Sequence, residues 1–122
     1  MNHHQMTGEN KSMLMKANEA VANGDHEGFL SYCTEDTEWN FVGEQILQGK
    51  EAVRQYMAKA YLEPPKFRVE HLIAEAEFVT AVGKISMKDE TGEMVTYDYC
   101  DVWKFRDVKL HELKAFVVPV QT

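Results

Sequence analysis

The sequence predicts an α+β domain, with helices gathered first and an antiparallel meander of strands after them. Three observations carry this reading. Apolar residues recur at helical spacing over Asn10–Asn23 and again over Lys50–Leu62. From Lys66 the apolar period switches to two and holds to Pro119. No helical pattern interrupts those later strands, so a parallel sheet with crossover helices has no residues from which to build its crossovers.

The first helix, Asn10–Asn23, presents Leu14, Ala17 and Val21 as an apolar stripe, supported by Met13 and Ala20, and Gly24 is a natural stop. Asp25 then caps a short second helix from His26 to about Cys33, with Phe29, Leu30 and Tyr32 available for burial. Thr37–Val42 reads as a first strand ended by Gly43, and Gln45-Ile46-Leu47 as a short return. Gly49 leads into the third helix, whose buried face is Ala52, Val53, Tyr56, Met57 and Ala60, and Pro64-Pro65 terminates it. Four strands follow: Phe67–Ala74, Phe78–Lys88, Met94–Phe105 and Lys109–Pro119. A Glu75-Ala76-Glu77 turn, an Asp89–Glu93 loop containing Gly92 and a tight Arg106-Asp107 turn join them.

At 122 residues the chain makes one domain, with its core expected between about residues 10 and 119. Thirteen basic residues against 20 acidic ones give a net charge of −7, which repels phosphate backbones and argues against a nucleic-acid partner. No apolar stretch approaches the ~20 residues of a membrane span, and Met1–Asn10 lacks the apolar block of a signal peptide, so a cytoplasmic location is expected. Cys33 and Cys100 are too few for a disulfide framework. The five His and two Cys show no ligand spacing, so neither a metal nor another cofactor is expected. Gly43 to Gly49-Lys50 lacks the phosphate-loop pattern, and no nucleophile elbow or dinucleotide fingerprint occurs.

The run Thr96–Arg106 carries the chemistry. Every second residue from Tyr97 gives Tyr97, Tyr99, Asp101, Trp103 and Phe105, so one strand face presents four aromatic rings with a carboxylic acid among them. Rings strip water from a carboxylate, raise its pKa and can make it a proton donor. The competing reading has Asp101 satisfied by a backbone N–H, an Arg or solvent at the sheet edge. Trp39 and Phe41 share one parity of the first strand and Asn40 the other, so the rings or the amide can face inward, not both. His71 alternates with Phe67, Val69 and Ile73, and His111 with Leu113, Ala115 and Val117, so either could partner Asp101 or be a satisfied interior histidine.

This order of elements resembles the nuclear transport factor two-like superfamily, in particular its ketosteroid isomerase and SnoaL-like polyketide cyclase branches. The matching residues are Gly24-Asp25, Glu35-Asp36-Thr37-Glu38-Trp39, Gly49-Lys50-Glu51-Ala52-Val53-Arg54 and Asp101-Val102-Trp103-Lys104-Phe105. The resemblance spans about Met13 to Val118. It implies a cone: a curved antiparallel sheet packed on the three helices, with a pocket at its open end, often dimeric through the outer face of the sheet. It also implies site positions. The protonated acid of ketosteroid isomerases matches Asp101. Their base position falls on Asn40, which cannot accept a proton at neutral pH, and their oxyanion tyrosine on Ala17. Steroid isomerisation by the family mechanism is therefore not expected.

Two functional readings follow. In the first, the cone binds a small apolar molecule bearing a carbonyl or hydroxyl. Asp101 then acts as general acid/base, with Asn40 and His71 as candidate helpers and Trp39, Tyr56, Tyr99, Trp103 and Leu113 lining the pocket. Isomerisation, cyclisation, hydration and dehydration all fit such a site. In the second, the same pocket or the dimer is a non-catalytic binding module. Phe116, Val118 and Val120 on one parity of the last strand, with Leu113, Ala115 and Val117 on the other, ask for burial on both faces and predict a homodimer.

Overall fold

The computed structural model describes residues 3–120 and has three helices and one six-stranded sheet. Helix α1 spans His3–Ala22 and α2 His26–Ser31, followed by strands β1 (Cys33–Phe41) and β2 (Gln45–Gln48) and by helix α3 (Lys50–Ala60). Strands β3 (Lys66–Glu75), β4 (Phe78–Lys88), β5 (Met94–Arg106) and β6 (Lys109–Pro119) complete the chain. The α+β class and the curved sheet against three helices are as the sequence predicts. Helix α1 begins earlier than expected, because residues 3–9 are polar and show no apolar periodicity.

Helix α1 ends in a Schellman turn: Gly24 takes φ 74°, its N–H donates to Val21 O at 3.0 Å, and Asp25 N–H donates to Ala20 O at 2.8 Å. The Asp25 side chain then accepts from Gly28 N–H at 2.9 Å and starts α2. Leu14 and Ala17 of α1, Phe29 and Leu30 of α2, and Val53 and Met57 of α3 meet Val79, Trp103, Phe105 and Leu110 of the sheet in one buried core. These are the stripes legible in the sequence.

The strand order is β2-β1-β6-β5-β4-β3. Four of the pairings are antiparallel, but β1 and β6 run parallel, so the sheet is mixed and not wholly antiparallel. The meander from β3 to β6 leaves the far edge of β6 open, and the first strand docks there. The β1–β6 register is irregular between Cys33 and Glu38. Buried Thr37 repairs it, donating its hydroxyl to His111 O at 2.9 Å, and Gly49 N–H donates to Thr37 O at 2.7 Å.

Two bulges bend the long strands and invert their parity. In β3 the register slips between Val69 and His71. Phe67 and Val69 before it, and Leu72 and Ala74 after it, are the half-buried positions, whereas His71 and Ile73 are exposed. In β6 the slip leaves His111 as an extra residue between Leu110, paired with Phe105, and Glu112, paired with Lys104. The simple alternation that put both histidines on the inner face is corrected at these two points. Gly83 makes the first bulge possible: a Cβ there would lie 2.0 Å from Arg68 O and 3.1 Å from the Tyr99 hydroxyl.

Candidate functional site

The inner face of β5 carries Tyr97, Tyr99, Asp101 and Trp103 in series, and all four line one cavity of about 400 Å³. The register explains why the space opens at the acid. Trp103 lies between Val79 and Leu113, and Tyr99 between Gly83 and Val117. Asp101 lies between Ala81 and Ala115, two small residues that leave room above its carboxyl. The opposite wall comes from Phe29 of α2, Trp39 and Phe41 of β1, Tyr56 of α3, Tyr61 just beyond it, and Asn18 and Val21 of α1.

Edge-to-face packing fixes these rings. Trp39 meets Phe29, Tyr56 and Trp103 edge to face with centroids 5.7, 6.0 and 6.1 Å apart, and Phe41 meets Tyr56 in a tilted arrangement at 5.0 Å. Trp39 is 4% exposed, and its Nε1–H finds no acceptor among the described residues.

Asp101 is the electrostatic centre. No described residue offers it a hydrogen bond or an ion pair, and burial alone pushes its carboxyl up to about 7. The tyrosines around it respond to the same environment. Burial, then the nearby Asp101 charge, raises the Tyr99 hydroxyl to about 12. Burial, with lesser contributions from Tyr56 and Asp101, drives the Tyr61 phenol far above its usual range. Burial followed by the Glu44 charge raises Tyr56 to about 12. The hydroxyls of Tyr56, Tyr61 and Tyr99 thus stay protonated at neutral pH, and among the rings Asp101 is the group placed to exchange a proton.

The cavity brings together Asp101, Trp39, Tyr56, Tyr99, Trp103 and Leu113 of the residues expected from sequence. It does not include Asn40, which has the opposite parity on β1 and pairs with Ile46 and Lys114. Turning Trp39 and Phe41 inward stabilises by about 1.5–3 kcal/mol per ring, whereas an amide buried without a partner costs about 1–3 kcal/mol. The rings decide the parity. Past the β3 bulge His71 is exposed on the outer face and cannot meet Asp101. His111 is also elsewhere: its Nδ1 lies 2.9 Å from the Thr34 hydroxyl and 3.8 Å from Asp36. Asp36 is itself paired with Arg106 at the far end of β5.

Asn18, Tyr61 and Glu44 line the cavity without having been singled out beforehand. Asn18 had a signal: Leu14, Ala17 and Val21 place it on the apolar stripe of α1, where a polar residue is out of pattern. Tyr61 and Glu44 lie in connections, where periodicity gives no direction.

The family model of the SnoaL-like domain matches residues 15–113. The chain belongs to the SnoaL-like domain family. No curated protein matches it. Among solved structures, this SnoaL-like chain is similar to SalBIII, an epoxide hydrolase/cyclase-like enzyme of pyran ring formation in the polyether salinomycin, at 20% identity and TM-score 0.83, covering 90% of this chain and 91% of that one. A candidate SnoaL-like polyketide cyclase from Jannaschia sp. CCS1 has 14% identity and TM-score 0.82, with 96% and 90% coverage. A nuclear transport factor two-like protein of unknown function from Cytophaga hutchinsonii has 19% identity and TM-score 0.73, with 88% and 98% coverage. At these identities the likeness establishes the fold. No described helix is long and apolar enough to cross a membrane.

Proposed function

We propose that this SnoaL-like protein binds a small, mostly apolar molecule with a carbonyl or hydroxyl in its aromatic cavity, and that Asp101 moves a proton on it. The observation that carries this reading is a half-buried carboxyl with no partner among the described residues, facing a cavity of ligand size. With its pKa near 7 both forms are populated at neutral pH. The acid form donates a hydrogen bond to a ligand oxygen and stabilises charge developing there; the carboxylate takes a proton from an adjacent carbon or hydroxyl. Enolisation, ring closure and dehydration all reduce to that exchange, and cyclase-like relatives of the same fold support this chemistry. Dispersion against the rings supplies the binding.

A second reading, a non-catalytic binding module, is favoured by one observation: Asn40, His71 and His111 are all outside the cavity, so Asp101 has no second proton-transfer group of ordinary strength beside it. Deuterium exchange separates the two. The aromatic ketone beta-tetralone has acidic α-protons. In deuterium oxide the wild type is expected to accelerate their exchange, and Asp101→Asn to bind the ketone while losing the exchange. Binding without exchange in the wild type would leave the binding module; absence of binding would remove the cavity from consideration.

The functional unit in this reading is a homodimer. On the sheet face away from the cavity, Phe116 is 43% exposed, Val118 61% and Ile73 61%. They share that face with Val82, Cys100 and Val102, a patch that a second sheet would cover.

A further inference from the structure

We propose that the mouth of the cavity selects its ligand by charge: Glu44, with the rings of Phe41 and Tyr56, holds a cationic nitrogen at the end of the ligand opposite the oxygen that meets Asp101. The inference rests on the cavity being the ligand site and adds the class of ligand, an apolar molecule with an ammonium group at one end.

The chain has 13 Lys and Arg and five His, yet none lines the cavity; its charged side chains there are Asp101 and Glu44. A lining that has acidic and no basic side chains disfavours a carboxylate, sulfonate or phosphate and favours a cation. The two acids occupy different places. Asp101 sits inside, between Tyr99 and Trp103, with its carboxyl half-buried and without a partner among the described residues. Glu44 stands on the exposed turn between β1 and β2, held by its own N–H donating to Phe41 O at 2.8 Å.

That turn places a carboxylate beside two rings already in contact, Phe41 and Tyr56 at 5.0 Å. The Glu44 charge is close enough to the Tyr56 phenol to oppose its ionisation. Ring faces and a carboxylate together are what a trimethylammonium or protonated amine binds. Glu27, Glu35, Asp36 and Glu63 are each held by a basic side chain. The Glu44 side chain has no such partner among the described residues. Two lysines, Lys59 and Lys88, lie in the groove outside the mouth, which shares Tyr56, Met87 and Tyr97 with the cavity, and Lys88 is tied to Glu63 at 2.9 Å. The cation goes to the mouth and not to Asp101, because at the exposed turn an ammonium keeps part of its hydration, whereas among the inner rings it would be stripped of water.

Three para-substituted acetophenones of similar shape test this by calorimetry at low salt: the trimethylammonium cation, its neutral tert-butyl isostere and the sulfonate anion. The wild type should bind the cation about three- to thirtyfold more tightly than the tert-butyl compound, the sum expected for an exposed ion pair and cation–π contact, and the sulfonate most weakly. Glu44→Gln should bring the affinity for the cation down to that for the tert-butyl compound. Equal binding of cation and isostere by the wild type, or a preference that survives Glu44→Gln, would overturn the charge selection while the cavity reading stands. Failure of all three to bind would overturn both.

Discussion

Replacing Asp101 by Asn should stabilise the protein in proportion to pH, a signature that few surface substitutions can imitate. The folded state holds the Asp101 proton up to about 7, against an ordinary value of 3.8 that applies when the chain is unfolded. Below about pH 4 both states are protonated and the acid costs nothing. Between about pH 4 and 7 the unfolded chain releases its proton while the folded one keeps it, so wild-type stability falls as pH rises. At 1.36 kcal/mol per pKa unit the loss reaches about 4 kcal/mol by pH 8, and water entering the cavity reduces it toward about 2 kcal/mol. Asn has the same shape and no charge, so it does not share that loss. Urea unfolding of both proteins at about pH 4 and about pH 8 measures the double difference, in which pH-independent packing effects cancel. Stability curves that run parallel over this range would show that Asp101 titrates alike folded and unfolded, and would refute its burial in the cavity.

Ala115→Leu should fill the space beside Asp101 and abolish binding of beta-tetralone, while overpacking costs only about 1–3 kcal/mol of stability; unchanged affinity would place the ligand elsewhere. His71→Ala, on the outer face, should leave affinity and exchange rate unaltered, and a lost exchange rate would contradict its exclusion. Sedimentation at about ten micromolar should show a dimer that Phe116→Glu dissociates, since a charge there would be desolvated in the interface. A wild-type monomer at that concentration would count against the paired sheets.

The sequence made the helices legible through their apolar stripes, and β5 through strict alternation over a long, bulge-free run. That alternation placed Tyr97, Tyr99, Asp101 and Trp103 on one face, and they line one wall of the cavity. Alternation failed where the register slips. His71 and His111 follow or occupy bulges, and a single extra residue sends a side chain to the other face. The bulge in β3 depends on Gly83 of the neighbouring strand, a pairing no local window contains. Asn40 misled for a different reason: the resemblance aligned it with the base position of ketosteroid isomerases, but here two aromatic neighbours outcompete an amide for the interior. The parallel seat of β1 beside β6 is a long-range choice that neither strand reveals alone.

The most direct measurement is the titration of the Asp101 side-chain carboxyl carbon by NMR in the ligand-free protein, assigned by its absence from Asp101→Asn. A midpoint near 7 is expected, with the Asp36 and Asp89 carboxyls, held by Arg106 and by Thr91 respectively, titrating below the ordinary carboxylate range in the same spectra. An Asp101 midpoint close to the ordinary 3.8 would contradict a buried, unpartnered acid and with it the proton transfer assigned to this cavity.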